Sequence, residues 1–265
     1  MRDAYDRPIR YLRASVTDRC NLRCVYCAPP EGCKRLSDDE LLPLGSIFRI
    51  VEAAVDLGVE KLRLTGGEPL LRDGIVDLVR ELSRIPGLGT LCMTTNGTML
   101  AAAASDLRDA GLDSVNVSLD TLDPDLYDRI TRGGALCDVL EGIDAALLAG
   151  LPVKLNIVIQ GDDGAKDAEE VESYAQARGA SSQRIRRYDL RLPKAEDPRF
   201  DRPPRCESCD RIRLLADGRL LPCLHSDLAQ SIDMDTIAQS LLACVDRKPA
   251  RGGTCATLAV GQIGG

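Results

Sequence analysis

Polar and apolar residues alternate, or apolar residues cluster with β-branched ones, in six short runs. These are Tyr11–Val16, Lys61–Thr65, Thr90–Thr95, Ser114–Leu119, Val153–Ile159 and Arg184–Leu190, and each predicts a strand. Between them the apolar period lengthens to that of a helix. Leu44–Leu57 carries apolar residues at 44, 47, 48, 51, 54 and 55, and Gly58 supplies a stop. Further helices are predicted over Ile75–Ile85, over Ala101–Ala110 before Gly111, over Asp138–Ala149 before Gly150, and over Ala168–Arg178 before Gly179. Asp123-Pro124 sets an N-cap residue before a proline in the first turn, and starts a short helix.

Strands that alternate with helices imply an α/β fold with a parallel sheet and right-handed crossovers. Six units are too few for a closed eight-stranded barrel, so the expected architecture is an open, partial (β/α)6 TIM-like barrel. Ligands are then expected at the C-terminal ends of the strands. Cys20 follows the first strand, Gly66-Gly67-Glu68-Pro69 the second, Asn96-Gly97 the third and Asp120 the fourth. From about Leu192 the pattern changes. Pro193, Pro198, Pro203 and Pro204 interrupt a charged segment that reads as a connector to an irregular C-terminal region. The expected division is a barrel over residues 1–192 and a C-terminal region over 193–265.

Composition narrows the function classes. The 265 residues are 44% hydrophobic and 28% charged, as in an ordinary globular protein. No apolar run is long enough to span a membrane, and the charged Met1–Arg7 segment does not read as a signal peptide, so a cytoplasmic protein with no membrane partner is expected. A net charge of -7, two Phe and no Trp argue against nucleic acid as a partner. Eleven cysteines at short spacings favour metal binding or catalysis over disulfides in a reducing compartment. Cys92, Cys137, Cys244 and Cys255, each standing alone, read as small buried hydrophobes.

Cys20, Cys24 and Cys27 form a C-x₃-C-x₂-C group. Three thiolates on a four-iron cluster leave one iron open, and an open metal site can take a small molecule. A zinc site with Cys33 as fourth ligand is the alternative. A redox pair of Cys24 and Cys27 would leave Cys20 without a role. Cys206, Cys209 and Cys223 form a second group of three, for which an open iron is again implied.

The first group, with Tyr26 before its last cysteine and Gly66-Gly67-Glu68-Pro69 downstream, resembles the radical S-adenosylmethionine superfamily. In that family the methionine part of the cofactor chelates the open iron, and electron transfer cleaves it to a 5′-deoxyadenosyl radical. Finer motifs resemble the GTP 3′,8-cyclases of molybdenum cofactor biosynthesis. They are Leu12–Cys20, Arg63–Arg72, Thr94–Gly97, Ser118–Asp120, the block from Cys206 through Asp210-Arg211-Ile212-Arg213 to Cys223, and Ile263-Gly264-Gly265.

The resemblance implies two [4Fe-4S] clusters, one on Cys20, Cys24 and Cys27 and one on Cys206, Cys209 and Cys223, the second meeting the guanine base. It implies that Tyr26, Gly66, Gly67, Glu68, Asn96 and Ser118 bind S-adenosylmethionine. Arg13, Arg63, Thr94, Lys154, Arg186, Arg211 and Arg213 would bind GTP. Arg13, Arg211, Arg213, Gly264 and Gly265 would take part in the reaction, in which the radical abstracts the ribose 3′ hydrogen and the sugar carbon attacks C8. An external electron donor, a downstream cyclic pyranopterin monophosphate synthase and a homodimer complete the expectation. Residue chemistry agrees in one respect: a tripolyphosphate carries about four negative charges, and guanidinium groups pair with its oxygens in bidentate fashion. Lys61, at a strand start, reads as a surface residue, and His225 as a surface or cap residue.

The chain departs from the family pattern in two places. Only Arg191–Arg205 stands where the family carries a longer segment, and the tail before Gly264 is short. In the sixth strand Arg186 matches a family arginine and Asp189 a glutamate, while Arg191 falls where a methionine is usual. Two readings therefore stand beside the cyclase. One is a related two-cluster radical enzyme acting on another nucleotide or a peptide. The other is a degenerate paralogue that holds clusters or zinc for structure.

Overall fold

In a computed structural model the described residues are 1–27, 35–159, 164–187, 189–197, 199–201, 204–258 and 260. Six strands run in the predicted order: β1 (Tyr11–Ser15), β2 (Lys61–Thr65), β3 (Thr90–Thr95), β4 (Ser114–Ser118), β5 (Val153–Ile159) and β6 (Ser181–Arg186). The crossovers hold α1 (Leu44–Asp56), α2 (Ile75–Leu82), α3 (Leu100–Asp109), α4 (Pro124–Thr131), α5 (Leu136–Leu148) and α6 (Gly164–Ala177). Asp123 caps α4 as expected, its side chain accepting from the backbone N–H groups of Asp125 and Leu126.

All six strands are parallel, and each lies beside its predecessor. A sheet wound in one direction curls as its twist accumulates, so the result is a partial barrel. Its two edge strands, the first and last of the sheet, do not meet.

Alternation along the strands sorts the two faces. Leu12, Ala14, Leu62, Leu64, Leu91, Met93, Val115, Val117, Val153, Leu155 and Ile157 join the core with the helices. Most intervening positions are polar, among them Tyr11 and Arg13, Lys61 and Arg63, Thr94, Asn116, Lys154 and Asn156. A closed barrel packs this inner face with branched apolar residues. Here it is built to hold something polar.

Two expectations are corrected. The sixth strand covers Ser181–Arg186, not Arg184–Leu190. Its first half, Ser181-Ser182-Gln183, has no apolar residue to announce a strand, because it is an edge strand paired only with β5. Polar contacts hold it there: Arg184 pairs with Glu172 of α6 at 2.7 Å, and Gln183 donates to Asn156. The C-terminal region is also not irregular. It holds β7 (Arg211–Leu214), β8 (Arg219–Leu221), β9 (Gln230–Ser231) and α7 (Ile237–Asp246). β7 pairs in parallel with β1 on the side away from β2, and β8 and β9 follow antiparallel in one nine-stranded sheet. Runs of four, three and two residues are too short to show a period in the sequence.

Cys92, Cys244 and Cys255 are buried as expected, but Cys137 is exposed, since it lies on the outer face of α5. Cys33, Tyr188, Gly264 and Gly265 lie outside the described residues. Among the described residues no helix is long and apolar enough to cross a membrane.

Candidate active site

The first cysteine group sits on the loop after β1, above the C-terminal ends of the strands. The end of α4 holds that loop. Arg23 N donates to Thr131 O at 3.0 Å and Val25 N to Ile130 O at 2.9 Å. The last carbonyls of a helix lack partners inside it, and the cysteine loop supplies them here. Within the loop Cys27 N donates to Cys24 O at 2.9 Å. The Cys20 sulfur accepts from Leu22 N at 3.4 Å and from Asn96 Nδ2 at 3.8 Å.

Gly66 and Gly67 serve this loop directly. A Cβ on Gly67 would lie well inside 3.0 Å of the Arg19 carbonyl, and one on Gly66 would meet the Thr17 carbonyl. The glycines let the β2 turn dock against the segment that leads into Cys20, with Gly67 N bonded to Thr17 O and Glu68 N to Arg19 O. Glu68 is fully buried. It accepts from Leu70 N, Thr95 Oγ1 and Asn96 N at 3.0, 2.8 and 2.7 Å, so it positions the ends of β2 and β3.

Burial pushes the Cys24 thiol up to about 12, with the Asp120 and Cys20 charges adding to it, and it raises Cys20 as well. Burial also lifts the Asp120 carboxyl to about 6, and the carboxyl is held by Val158 N at 2.7 Å and by the Tyr26 hydroxyl. Ser118 closes β4 on the same rim.

Below the rim the inner face carries the basic set. Arg213 on β7, Arg13 on β1 and Arg63 on β2 are register partners in one row, and all three are buried. Two residues lower lies the row Arg211, Tyr11, Lys61. Tyr11 joins the two rows. Its hydroxyl accepts from Arg63 Nε at 2.7 Å and Arg13 Nη1 at 3.4 Å, while its ring faces Arg211 at 5.0 Å and Lys61 at 5.3 Å. Arg63 also reaches Thr94 Oγ1 at 3.3 Å. Lys61 is thus a half-buried inner-face residue, not the surface lysine its position suggested. Lys154 shares its register row with Asn116 and is exposed. Arg186, at the end of the edge strand, is exposed too.

The second cysteine group lies at the opposite end of the strands. Cys206 and Cys209 precede β7, and Cys223 follows the antiparallel β8, so all three sit at the N-terminal end of β1. Asp210 O accepts from Arg10 N and Tyr11 N there. The five-residue strand β1 between the two groups spans about 16 Å at ~3.3 Å per residue.

Buried cations that the sequence did not mark hold the second group. Arg7, paired with Asp3 at 2.6 Å, donates to Cys206 O, Ala250 O and Pro249 O. Lys248 Nζ donates to Arg211 O and Pro222 O at 2.7 Å each. A cavity of about 460 Å³, counting its open mouth, is lined by Cys209, Arg211, Arg213, Cys223, His225, Lys194 and Lys248. His225 is buried rather than on the surface, because the Gly252 backbone packs against its Cβ. Burial, with Lys194 and Arg213 near, lowers its imidazole to about 4.

Among the described residues no three His, Cys, Asp or Glu side chains converge on a single ion. A four-iron cluster does not ask for that, because its cysteinates bind separate irons. The donors fit such a cluster in kind: sulfur only, three per group, and sulfurs that accept N–H bonds. Leu22 N and Asn96 Nδ2 reach Cys20, and Gly252 N and Lys194 Nζ reach Cys206. Hydrogen bonds to sulfur are a usual support for iron–sulfur ligands.

Residues 14–175 match the radical SAM superfamily. The chain is 40% identical to the GTP 3′,8-cyclase of Peptoclostridium acidaminophilum over 85% of its own length and 83% of that protein. It is 40% identical to the GTP 3′,8-cyclase of Thermodesulfovibrio yellowstonii over 91% and 88%. Among solved structures the fold is similar to Streptococcus suis SuiB bound to S-adenosylmethionine, with a TM-score of 0.65 at 15% identity over 85% of this chain and 63% of that one. It is similar also to anSMEcpe with bound AdoMet, with a TM-score of 0.63 at 14% identity over 88% and 80%. The chain belongs to the radical SAM superfamily and, within it, to the GTP 3′,8-cyclase family.

Proposed function

We propose that this chain is a radical SAM lyase that converts GTP to (8S)-3′,8-cyclo-7,8-dihydroguanosine 5′-triphosphate. The single observation that carries the reading is the buried Arg213–Arg13–Arg63 row between two cysteine groups at opposite ends of the same strands. Guanidinium groups bind phosphate oxygens in bidentate form, and three of them in one row suit a triphosphate.

The residues divide the work by position. Residues 1–192 form the cofactor half and 193–265 the half that holds the second cluster. Cys20, Cys24 and Cys27 hold the first cluster, and Tyr26, Gly66, Gly67, Asn96 and Ser118 line the place of S-adenosylmethionine. When bound, that cluster and cofactor supply a carbon radical able to take a hydrogen atom. Cys206, Cys209 and Cys223 hold the second cluster at the base end, with His225 beside them. Arg13, Arg63 and Arg213 fix the triphosphate, with Arg211, Lys61 and Thr94 close by. Lys154 and Arg186 stand at the solvent side and reach the substrate only from its exposed edge. Gly264 and Gly265, which lie outside the described residues, belong to this reading through the family resemblance alone.

An external electron donor, a downstream cyclic pyranopterin monophosphate synthase, a homodimer and a cytoplasmic location belong to the same reading. One observation favours a second reading, a related enzyme with another nucleotide or a peptide: Arg186 is exposed, so this wall of the substrate site is open. One assay separates them. Anaerobically reconstituted protein is given S-adenosylmethionine, dithionite and GTP, and products are read by mass spectrometry. 5′-Deoxyadenosine with a cyclised GTP isomer is expected. Deoxyadenosine with unchanged GTP would transfer the chemistry to another substrate, and neither product would leave a paralogue without turnover.

A further inference from the structure

The connector between β6 and the second cysteine group carries a buried cation that the cyclase reading does not use. The Lys194 side chain is 6% exposed. Its ammonium donates to the Cys206 sulfur at 3.0 Å and to the Pro204 carbonyl. Glu196 is the nearest carboxylate, at 3.7 Å; it is 45% exposed, and it also accepts from Cys206 N at 2.8 Å. A buried ammonium is costly unless a charge or hydrogen bonds offset it. The Pro204 carbonyl is neutral and Glu196 is partly solvated, and the Cys206 sulfur lies closer to the ammonium than the Glu196 carboxylate does.

The surroundings fix this pair. Lys194 N donates to Gly253 O at 3.3 Å, and Gly252 N donates to the same Cys206 sulfur at 3.4 Å. A Cβ on Gly252 would press on the Lys194 stem at 3.2 Å. Farther along the connector, Leu190 packs with Leu215, Leu221 and Cys255, and Cys255 N bonds to Leu190 O at 2.6 Å. The start of the connector is thereby pinned, with Lys194 in the wall of the cavity.

We propose that Lys194 is a positioning residue of the second cluster, holding the Cys206 sulfur in place as a ligand and setting the cluster's reduction potential by its charge and N–H bond. Ligand hydrogen bonds and net charge are among the levers on such potentials, and a positive neighbour favours the reduced cluster. The proposal rests on the reading of Cys206, Cys209 and Cys223 as cluster ligands.

The test uses the full chain with Cys20, Cys24 and Cys27 changed to Ser, so that only the second site can hold iron. Lys194→Met, Lys194→Gln and Lys194→Arg are made in it. After anaerobic reconstitution, iron retained against a chelator and the midpoint potential followed by electron paramagnetic resonance are measured. Lys194→Met is expected to lower iron affinity at least ~10-fold, the usual effect of losing an outer partner, and to shift the potential negative. Lys194→Gln keeps a donor without the charge and should fall between. Lys194→Arg should restore both. Unchanged iron retention and potential in Lys194→Met would overturn the inference and leave the cluster reading standing. A lower melting temperature of the iron-free chain as the sole change would overturn it also, as a merely structural role. No iron in the parent would overturn both.

Discussion

The Tyr11 hydroxyl accepts from Arg63 Nε at 2.7 Å, across the β1–β2 boundary and on the inner face of the sheet. The same hydroxyl takes Arg13 Nη1 at 3.4 Å. One phenol thus aims two of the guanidinium groups assigned to the triphosphate. Tyr11→Phe keeps the ring between Arg211 and Lys61 and removes only the acceptor. Hydrogen bonds to charged groups are worth about 1.5–3 kcal/mol. GTP affinity is expected to fall roughly 10-fold and the nucleotide-free fold to lose about 1–3 kcal/mol, as read by calorimetry on the nucleotide and by urea unfolding. Equal affinity in the variant would remove Tyr11 from the binding machinery.

Arg213 and Cys24 should fail in different ways. Arg213→Ala removes a buried member of the arginine row and should weaken GTP binding by an order of magnitude or more, since buried charge pairs are worth several kcal/mol. Uncoupled cleavage of S-adenosylmethionine should remain. Cys24→Ala removes a proposed ligand of the first cluster and should abolish cleavage and product together. Full cyclase activity in Arg213→Ala would place the triphosphate elsewhere.

Gly67 tests how the cysteine loop is seated. A methyl group there meets the Arg19 backbone, which cannot swing aside as a side chain would. Gly67→Ala should cost roughly 1–3 kcal/mol from overpacking and reduce iron at the first site. Gly45 is the control, because nothing lies within 4 Å of its added Cβ, and it sits in α1. Gly45→Ala should stabilise the chain by about 0.5–1 kcal/mol. Normal iron content in Gly67→Ala would mean that the loop tolerates the shift.

Asp120 gives the iron-free protein a pH signature. Burial raises its carboxyl from 3.8 to about 6, so folding favours the protonated form. The cost of its charge is absent below the unfolded value, grows between pH ~4 and ~6, and is fully present above, on the order of 3 kcal/mol. Asp120→Asn carries no such charge. It should stabilise the iron-free chain at pH 7.5 and lose that advantage near pH 4, as read by urea melts at both. An equal difference at both pH values would show that folding does not raise the Asp120 carboxyl.

Much of this was legible in the chain, because the signals are local. The apolar periods locate the strands and helices of the first 180 residues, and Asp123-Pro124 marks the start of α4. Cysteine spacing and the glycine pair mark the first loop. β6 was misplaced because an edge strand paired on one side can be polar, and Ser181-Ser182-Gln183 looks like loop. Lys61 and His225 were misread for a related reason. A lone charged or titratable residue is usually at the surface, and only its neighbours show otherwise.

By itself the sequence determined the parallel β/α order, the two groups of three cysteines and the set of arginines, since each is a matter of residue type and spacing. Tertiary structure alone decided that β7 pairs with β1, bringing Arg213 into one row with Arg13 and Arg63 across 200 residues of chain. It alone decided that the cysteine groups lie at opposite ends of those strands, and that Tyr11, Lys194, Lys248 and Arg7 hold the groups between them. The reason is physical: spacing fixes which residues can share a face, but which faces meet depends on how the sheet buries its apolar side, and that is settled by the whole chain at once.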